Sequence, residues 1–206
     1  MQRYFAKIEA LTDIGDILRF SGDICCEQGA IRYSYHMPPP FAAPNSMRAV
    51  VISRGFSKDW LRRYNESDFR HSDPIPLRTM QHGALLTWKD ARRIAPNTPH
   101  NDEYFKAMDE EGLIHGFGLP LFGPRGRDAF ASFDFGVPLD RISNERLGVV
   151  RSIPQAAHQR LCVLLEDVNP LPHLSERERE VLQWVTRGMS FGSIAGILGL
   201  SPDTVK

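Results

Sequence analysis

Over Asp167, Val168, Asn169, Pro170, Leu171, Pro172 and His173 every hydrophobic period fails, and this break constrains the fold more than any other feature of the chain. Pro170 and Pro172 each lack an amide N–H and bias the preceding residue toward extended backbone, so no helix crosses them. The segment reads as a linker, residues 167–173, dividing the 206 residues into a larger domain, 1–166, and a smaller one, 174–206. The first is of ordinary domain size, at about 100 to 200 residues; the second is a small appendage.

Hydrophobic content of 42% and charged content of 24% lie near the globular average, so both parts are expected to fold. Basic and acidic residues balance at 25 each, so net charge speaks neither for nor against an anionic partner. Residues 173–206 carry Arg177, Arg179, Arg187 and Lys206 against Glu176, Glu178, Glu180 and Asp203. That local neutrality counts against DNA binding by this segment alone, because phosphate neutralisation supplies most nonspecific affinity. The start has no charged-then-apolar leader, and no run of 18 apolar residues occurs, so neither secretion nor membrane spanning is expected. Cys25, Cys26 and Cys162 form neither a metal spacing nor a disulfide framework, which fits a reducing cytoplasm. The seven histidines show no i, i+4 pair, so no metal is expected.

In the first domain, residues 4–29 have apolar positions at helical spacing, with interruptions expected at Gly15 and Gly22. Residues 30–37 and 48–53 read as strands around a proline-rich loop. Ser57 caps a helix through Tyr64, the prolines at 74 and 76 predict a short extended stretch, and a second helix is expected over 77–82. A strand over 84–88, a helix over 101–111 ended by Gly112, and a hairpin of 114–122 with 129–135 follow. The last helix covers about residues 143–166, with Pro154 as an expected kink. Helices alternating with about five mostly antiparallel strands predict an α/β/α sandwich.

The second domain opens on a capping box, Ser175 with Glu178, followed by the apolar residues Val181, Leu182 and Val185 and a stop at Gly188. Ser190 restarts the chain into Ile194, Ala195, Ile197 and Leu198; Gly199 closes that helix, and small Ala195 allows a close crossing. Ser201 and Pro202 then cap and open a third helix. Helix, tight glycine turn, helix is the pattern of a helix-turn-helix. Gly188-Met189-Ser190-Phe191-Gly192 also satisfies the G-x-S-x-G pattern of a hydrolase elbow, but no strand is expected before it and no histidine follows His173. No catalytic constellation is expected; the chain does not read as an enzyme.

These residues carry a resemblance. Leu174 to Glu178, Leu182, Gly188, Ile194-Ala195 and Leu198 to Ser201, ending Thr204-Val205-Lys206, resemble the LuxR-type helix-turn-helix. Ser175, Glu178, Leu182, Gly188, Ala195 and Gly199 match positions that serve that fold, whereas Thr204 and Lys206 fall in the DNA-reading helix, which reaches only Lys206 in this sequence. Trp60, Tyr64, Asp73-Pro74 and Trp88, at spacings of 4, 9 and 15 residues, resemble the autoinducer-binding signature of the same family, and Gly112 to Gly116, Pro120, Gly123 and Ser132 extend it.

The resemblance implies a transcriptional regulator of quorum sensing that binds an acyl-homoserine lactone, needs no cofactor, folds and homodimerises on its ligand, and binds DNA in the full-length protein. The ligand is uncharged, so an apolar pocket with few directed polar groups suits it. The implied roles agree with side-chain chemistry: the Trp60 indole donates to the lactone carbonyl, Asp73 accepts from the amide N–H, and Tyr64 and Ser132 donate to the acyl carbonyl. Trp88 offers a flat face to the ring. Phe56 stands where some members carry a tyrosine, which removes one polar contact. An alternative expectation, motivated by the short third helix, is a receptor that sequesters lactone or forms inactive dimers without binding DNA.

Overall fold

The computed structural model describes residues 1–37, 50–67, 69, 73–168, 174–186 and 188–205. It divides into two compact units, Met1–Leu165 and Glu166–Lys206. The expected linker falls mostly on residues outside this description, as does Lys206.

The first unit is built on one antiparallel sheet of five strands in the order β2-β1-β5-β4-β3. The strands are β1 (Arg32–Met37), β2 (Val50–Arg54), β3 (Leu86–Thr87), β4 (Gly116–Leu121) and β5 (Ala129–Asp134). Successive strand residues point to opposite faces, and here the two sets differ in size. Tyr33, Tyr35 and Met37, Phe117, Leu119 and Leu121, and Ala129, Ala131 and Phe133 join one buried cluster with Leu18, Cys25, Val150 and Leu161. Those partners come from α2 (Ile14–Glu27) and α7 (Asn144–Val168). Phe133 lies with ring centroids 5.3 Å from Tyr33 and 5.5 Å from Phe117, in tilted contact. Burying each such side chain is worth about 1.5–3 kcal/mol.

The opposite face carries Ser34, His36, Gly116, Gly118, Phe130 and Ser132, shorter residues apart from His36 and Phe130. Against it lie α3 (Lys58–Glu66), α4 (Pro74–His82), α5 (Trp88–Ile94) and α6 (Pro99–Glu110). Their core contains Trp60, Ile75, Trp88, Tyr104, Phe105 and Met108 together with Phe130 of the sheet. Helices on both faces of the sheet make the α/β/α sandwich.

Local chemistry explains where the elements begin. The first helical region is two helices, α1 (Gln2–Ala10) and α2, but the break is not at Gly15. Asp13 makes it by accepting the Asp16 N–H as N-cap, while Gly15 and Gly22 both lie inside α2. Pro74 and Pro76, expected in an extended stretch, instead occupy the first turn of α4, where a missing N–H costs nothing. The expected strand over 84–88 shortens to two residues because Thr87 caps α5, a helix that periodicity did not reveal. Pro154 lies within an otherwise continuous α7. No helix among the described residues is long and apolar enough to cross a membrane.

A buried polar cluster fastens the sheet to α7. His158 is fully buried, with Nδ1 2.8 Å from the Tyr35 hydroxyl and Nε2 2.8 Å from the Arg127 carbonyl. A carbonyl only accepts, so Nε2 donates and Nδ1 accepts from Tyr35, which fixes a neutral tautomer. Burial holds the imidazole pKa below its ordinary value, in agreement. Arg127 Nη1 donates to the Cys162 carbonyl at 2.9 Å.

The second unit has its own small core of Ile194, Ala195 and Val205, with Val181, Trp184, Met189, Leu198 and Leu200 against it. Its helices are α8 (Glu176–Thr186), α9 (Phe191–Leu198) and α10 (Pro202–Val205). The capping box is formed: the Glu178 N–H donates to Ser175 Oγ at 3.3 Å and the Ser175 N–H to the Glu178 carboxylate at 2.7 Å. Gly188 and Gly199 take φ of 78° and 65°, the left-handed conformation that ends a helix. The face of α8 differs from expectation. Val181 and Trp184, one turn apart, enter the core, Leu182 is half-buried, and Val185 is exposed.

The turn at Gly123 supplies a test of the fastening. A Cβ there would lie 2.3 Å from the Arg127 carbonyl oxygen and 2.8 Å from His158 Nε2. Gly123→Ala should lower unfolding free energy by about 1–3 kcal/mol, read as a lower urea midpoint; an unchanged midpoint would mean that the cluster yields freely.

Candidate ligand-binding site

Between the small-residue face of the sheet and helices α3 to α6 lies a cavity of about 370 Å³. Small-molecule sites begin at about 300 Å³. Phe56, Trp60, Tyr64, Asp73, Trp88 and Ser132, the six residues singled out from the sequence, all line it. They come from separate elements, and each is placed by a local device.

Ser57 caps α3 by accepting the Trp60 N–H at 2.9 Å, and α3 then presents Trp60 and Tyr64 one turn apart. Trp60 makes tilted ring contacts with Tyr64 at 5.8 Å and Tyr104 at 6.3 Å. Ser57 also donates to Glu111, and Arg63 pairs with Glu110 at 2.6 Å, which ties α3 to the end of α6. The Arg63 pair is solvent-exposed, so its value is mainly in orientation.

Asp73 has two tasks. Its Oδ1 accepts the Ile75 N–H at 2.8 Å as N-cap of α4, while Oδ2 accepts from the Tyr64 hydroxyl at 3.0 Å. No lysine or arginine is among the described residues lining the cavity, so the half-buried carboxylate is held there by hydrogen bonds. Burial accordingly raises its pKa to about 6, against the opposing pull of hydrogen bonds from Ile75, Tyr104 and Tyr64.

Trp88 is the first residue of α5 and lies flat on the sheet at Gly116. A Cβ at Gly116 would stand 2.2 Å from the indole ring, so only glycine admits Trp88 in this pose. The indole N–H donates to Ser132 Oγ at 3.1 Å. With one lone pair so occupied, the Ser132 proton remains available for an acceptor in the cavity. The Tyr64 proton, by contrast, is directed to Asp73.

Sequence reading missed the remaining wall. Ser34, His36 and Ser53 contribute from β1 and β2, Phe130 from β5, and Ile75, Tyr104, Met108 and Leu113 from the helical side. Their signal was available in part: Arg32-Tyr33-Ser34-Tyr35-His36-Met37 alternates large apolar and polar residues, which assigns Ser34 and His36 to one face. Tyr104 and Met108 were hidden because an aromatic or methionine inside a helix reads as ordinary core.

In the second unit, Ser175, Glu178, Gly188, Ala195 and Gly199 hold the capping, turn and core positions described above. Thr204 is exposed on α10, with its hydroxyl 2.8 Å from that of Ser201. Lys206 lies outside the described residues.

Comparison with known proteins agrees with both units. The family described as autoinducer binding domain matches residues 15–161, and that described as bacterial regulatory proteins, luxR family, matches residues 172–206. The transcriptional activator protein VanR of Vibrio anguillarum is 28% identical over 167 residues, covering 76% of this chain. The match spans 66% of VanR, about two thirds of its length. Among solved structures, Escherichia coli SdiA is similar with a TM-score of 0.62 and 20% identity, covering 99% of this chain and 84% of SdiA. An N-acylhomoserine-lactone-dependent LuxR family transcription factor of Burkholderia cenocepacia has a TM-score of 0.61 at 15% identity, covering 81% of this chain and 95% of its own. At such identities the structural likeness concerns the fold. The domain matches are decisive: the chain belongs to the LuxR family of bacterial regulatory proteins, with an autoinducer-binding domain ahead of its helix-turn-helix.

Proposed function

We propose that the chain senses an acyl-homoserine lactone and couples that ligand to transcriptional control. The observation that carries this reading is the single cavity in which Trp60, Asp73, Trp88 and Ser132 meet between apolar walls. The lactone has an amide N–H and two carbonyls along an otherwise apolar body. Asp73 accepts from the amide, the Trp60 indole donates to the lactone carbonyl, and Ser132 donates to the acyl carbonyl. Tyr64 acts through Asp73, to which its proton is already committed. Trp88 supplies a flat wall and polarises Ser132.

Filling the cavity completes the core of the first unit. Ligand at about 100 times its dissociation constant adds roughly 2.7 kcal/mol of stability, a large share of a marginal domain's total. Folding, homodimer formation and sensing are then one coupled event. In the cytoplasm the dimer sets two helix-turn-helix units on DNA half-sites, with Thr204 and Lys206 as DNA contacts.

Expression in a lactone-producing and a lactone-free host, followed by extraction and mass spectrometry, tests the reading. A lactone should copurify from the first host, and its addition to protein from the second should raise the melting temperature. Protein that copurifies no lactone and whose melting temperature ignores a broad lactone panel would overturn it.

The raised pKa of Asp73 supplies a second test. An amide N–H donated to the carboxylate favours its ionised form, so binding releases a proton wherever the free protein holds Asp73 protonated. Affinity should be flat above about pH 6 and weaken below it, approaching about tenfold per pH unit. Asp73→Asn keeps the N-cap of α4 but loses the charged acceptor, which should cost about 1.5–3 kcal/mol of binding at neutral pH and remove the slope. For the unliganded protein the sign reverses. A carboxyl with a folded pKa of about 6 subtracts stability as pH rises from near 4 toward 6, so the Asn variant should gain relative to wild type across that window in paired urea titrations.

A further inference from the structure

A second cavity, of about 420 Å³, lies between α2 and the edge of the sheet formed by β1 and β2. It is on the other face from the first. Tyr33 stands opposite Arg54 and Tyr35 opposite Ile52 in the strand register, so the lining residues Tyr33, Ile52 and Arg54 share the large-residue face. Ser53, between Ile52 and Arg54, borders both cavities, which makes β2 their common wall.

From α2 come Gly15, Leu18, Arg19, Gly22 and Asp23, the i, i+3, i+4, i+7, i+8 positions of one helix face. The two glycines, two turns apart, make the space. A Cβ at Gly22 would stand 3.1 Å from the Tyr33 ring, whereas one at Gly15 would meet no atom of the sheet within 4 Å. Helix and sheet therefore touch at Gly22 and part toward Gly15. The interior between them is apolar: Leu18 and Tyr33 are buried, and Ile52 is half-buried against the main core.

The mouth is charged. Arg19 reaches it from the helix and Arg54 from the sheet edge, both exposed. Each guanidinium has five N–H donors, and each makes one side-chain hydrogen bond among the described residues, Arg19 to Asp16 and Arg54 to Asp23. Both pairs are solvent-exposed, so they contribute little and yield readily to a competing acceptor. An apolar slot with two under-used guanidinium groups at its mouth suits a ligand with an apolar body and a planar anionic head.

We propose that this cavity is a second ligand site, taking a small monocarboxylate with an aryl or short alkyl body, its carboxylate held by Arg19 and Arg54 and its body laid against Leu18, Tyr33 and Ile52. Asp23 competes with the ligand for Arg54. The proposal stands apart from the lactone reading, and the failure of either leaves the other untouched.

The test titrates isotopically labelled full chain with benzoate and hexanoate, and with benzamide and hexanamide as neutral counterparts, following amide and indole N–H resonances. At least one carboxylate should bind at about 1 mM or tighter, shifting the Gly15, Gly22 and Ile52 amides while the indole signals of Trp60 and Trp88 in the first cavity stay in place. Its neutral counterpart should bind about tenfold more weakly, the ratio expected for a hydrogen bond to a charged group. Arg19→Gln combined with Arg54→Gln should cost the carboxylate about tenfold or more, whereas Asp23→Asn, which releases Arg54, should tighten it severalfold. Circular dichroism melting checks that the variants fold; should the double variant not fold, Asp23→Asn and the carboxylate-to-amide ratio still decide. Carboxylates that shift nothing, that shift only the Trp60 and Trp88 indoles, that bind no better than their amides, or whose affinity survives the loss of both arginines would overturn the proposal.

Discussion

The structure depends on an asymmetry of size between the two faces of one antiparallel sheet. In β1, β4 and β5 the residues pointing one way are mostly large and apolar, and they build the core against α2 and α7. Those pointing the other way include Ser34, Gly116, Gly118 and Ser132, too small to fill the space beneath the helices opposite. Core and cavity are thus two products of a single period-two pattern. A one-residue slip of register would exchange the faces, driving tyrosine and phenylalanine into the cavity and serine into the core. The polar fastening of Tyr35, His158 and Arg127 resists such a slip, since its hydrogen bonds can be satisfied in only one register.

Within the cavity, polar groups are arranged in supported pairs. Tyr64 stands behind Asp73 and Trp88 behind Ser132, so the atoms offered to a ligand are held by a second hydrogen bond or an N-cap. Asp73 is the costly member. It is half-buried, with no lysine or arginine among the described residues lining the cavity, and makes up part of that cost by starting α4. On the proposed reading, that cost is what makes an incoming N–H donor valuable, because a contact that binds the ligand also relieves the carboxylate.

Legibility in the sequence followed the range of the interactions. Caps and stops act over three or four residues, so Ser57, Ser175, Gly188, Ser190 and Gly199 were readable from spacing. The six cavity residues were legible only as a pattern, since nothing local distinguishes Trp60 or Asp73 from core packing and a turn. Misreadings arose where one residue has two uses. The prolines at 74 and 76 break strands and helices alike, yet begin a helix when Asp73 precedes them. Thr87 suits a strand by propensity but ended this one by capping α5. That Ser53, Ser34 and Ser132 lie abreast on the cavity floor was illegible for a different reason: alternation can assign a residue to a face, but these three lie 19 and 79 positions or more apart and are aligned only by strand register.

The order in which the cavity walls occur along the chain also sets a schedule. Its lining begins at Ser34 and, among the described residues, is complete only with Ser132 on β5, the strand that lies between β1 and β4. A chain emerging at about 5–20 residues per second spends about 1–5 seconds with α3 to α6 made while β4 and β5 of their shared floor are still missing. During that interval the aromatic residues of the helices have no finished surface to rest on, and there is no enclosure for a small molecule to enter. A ligand of this pocket therefore arrives as a late component of synthesis: it cannot guide the early collapse, and it can decide only whether the nearly finished domain is retained or lost.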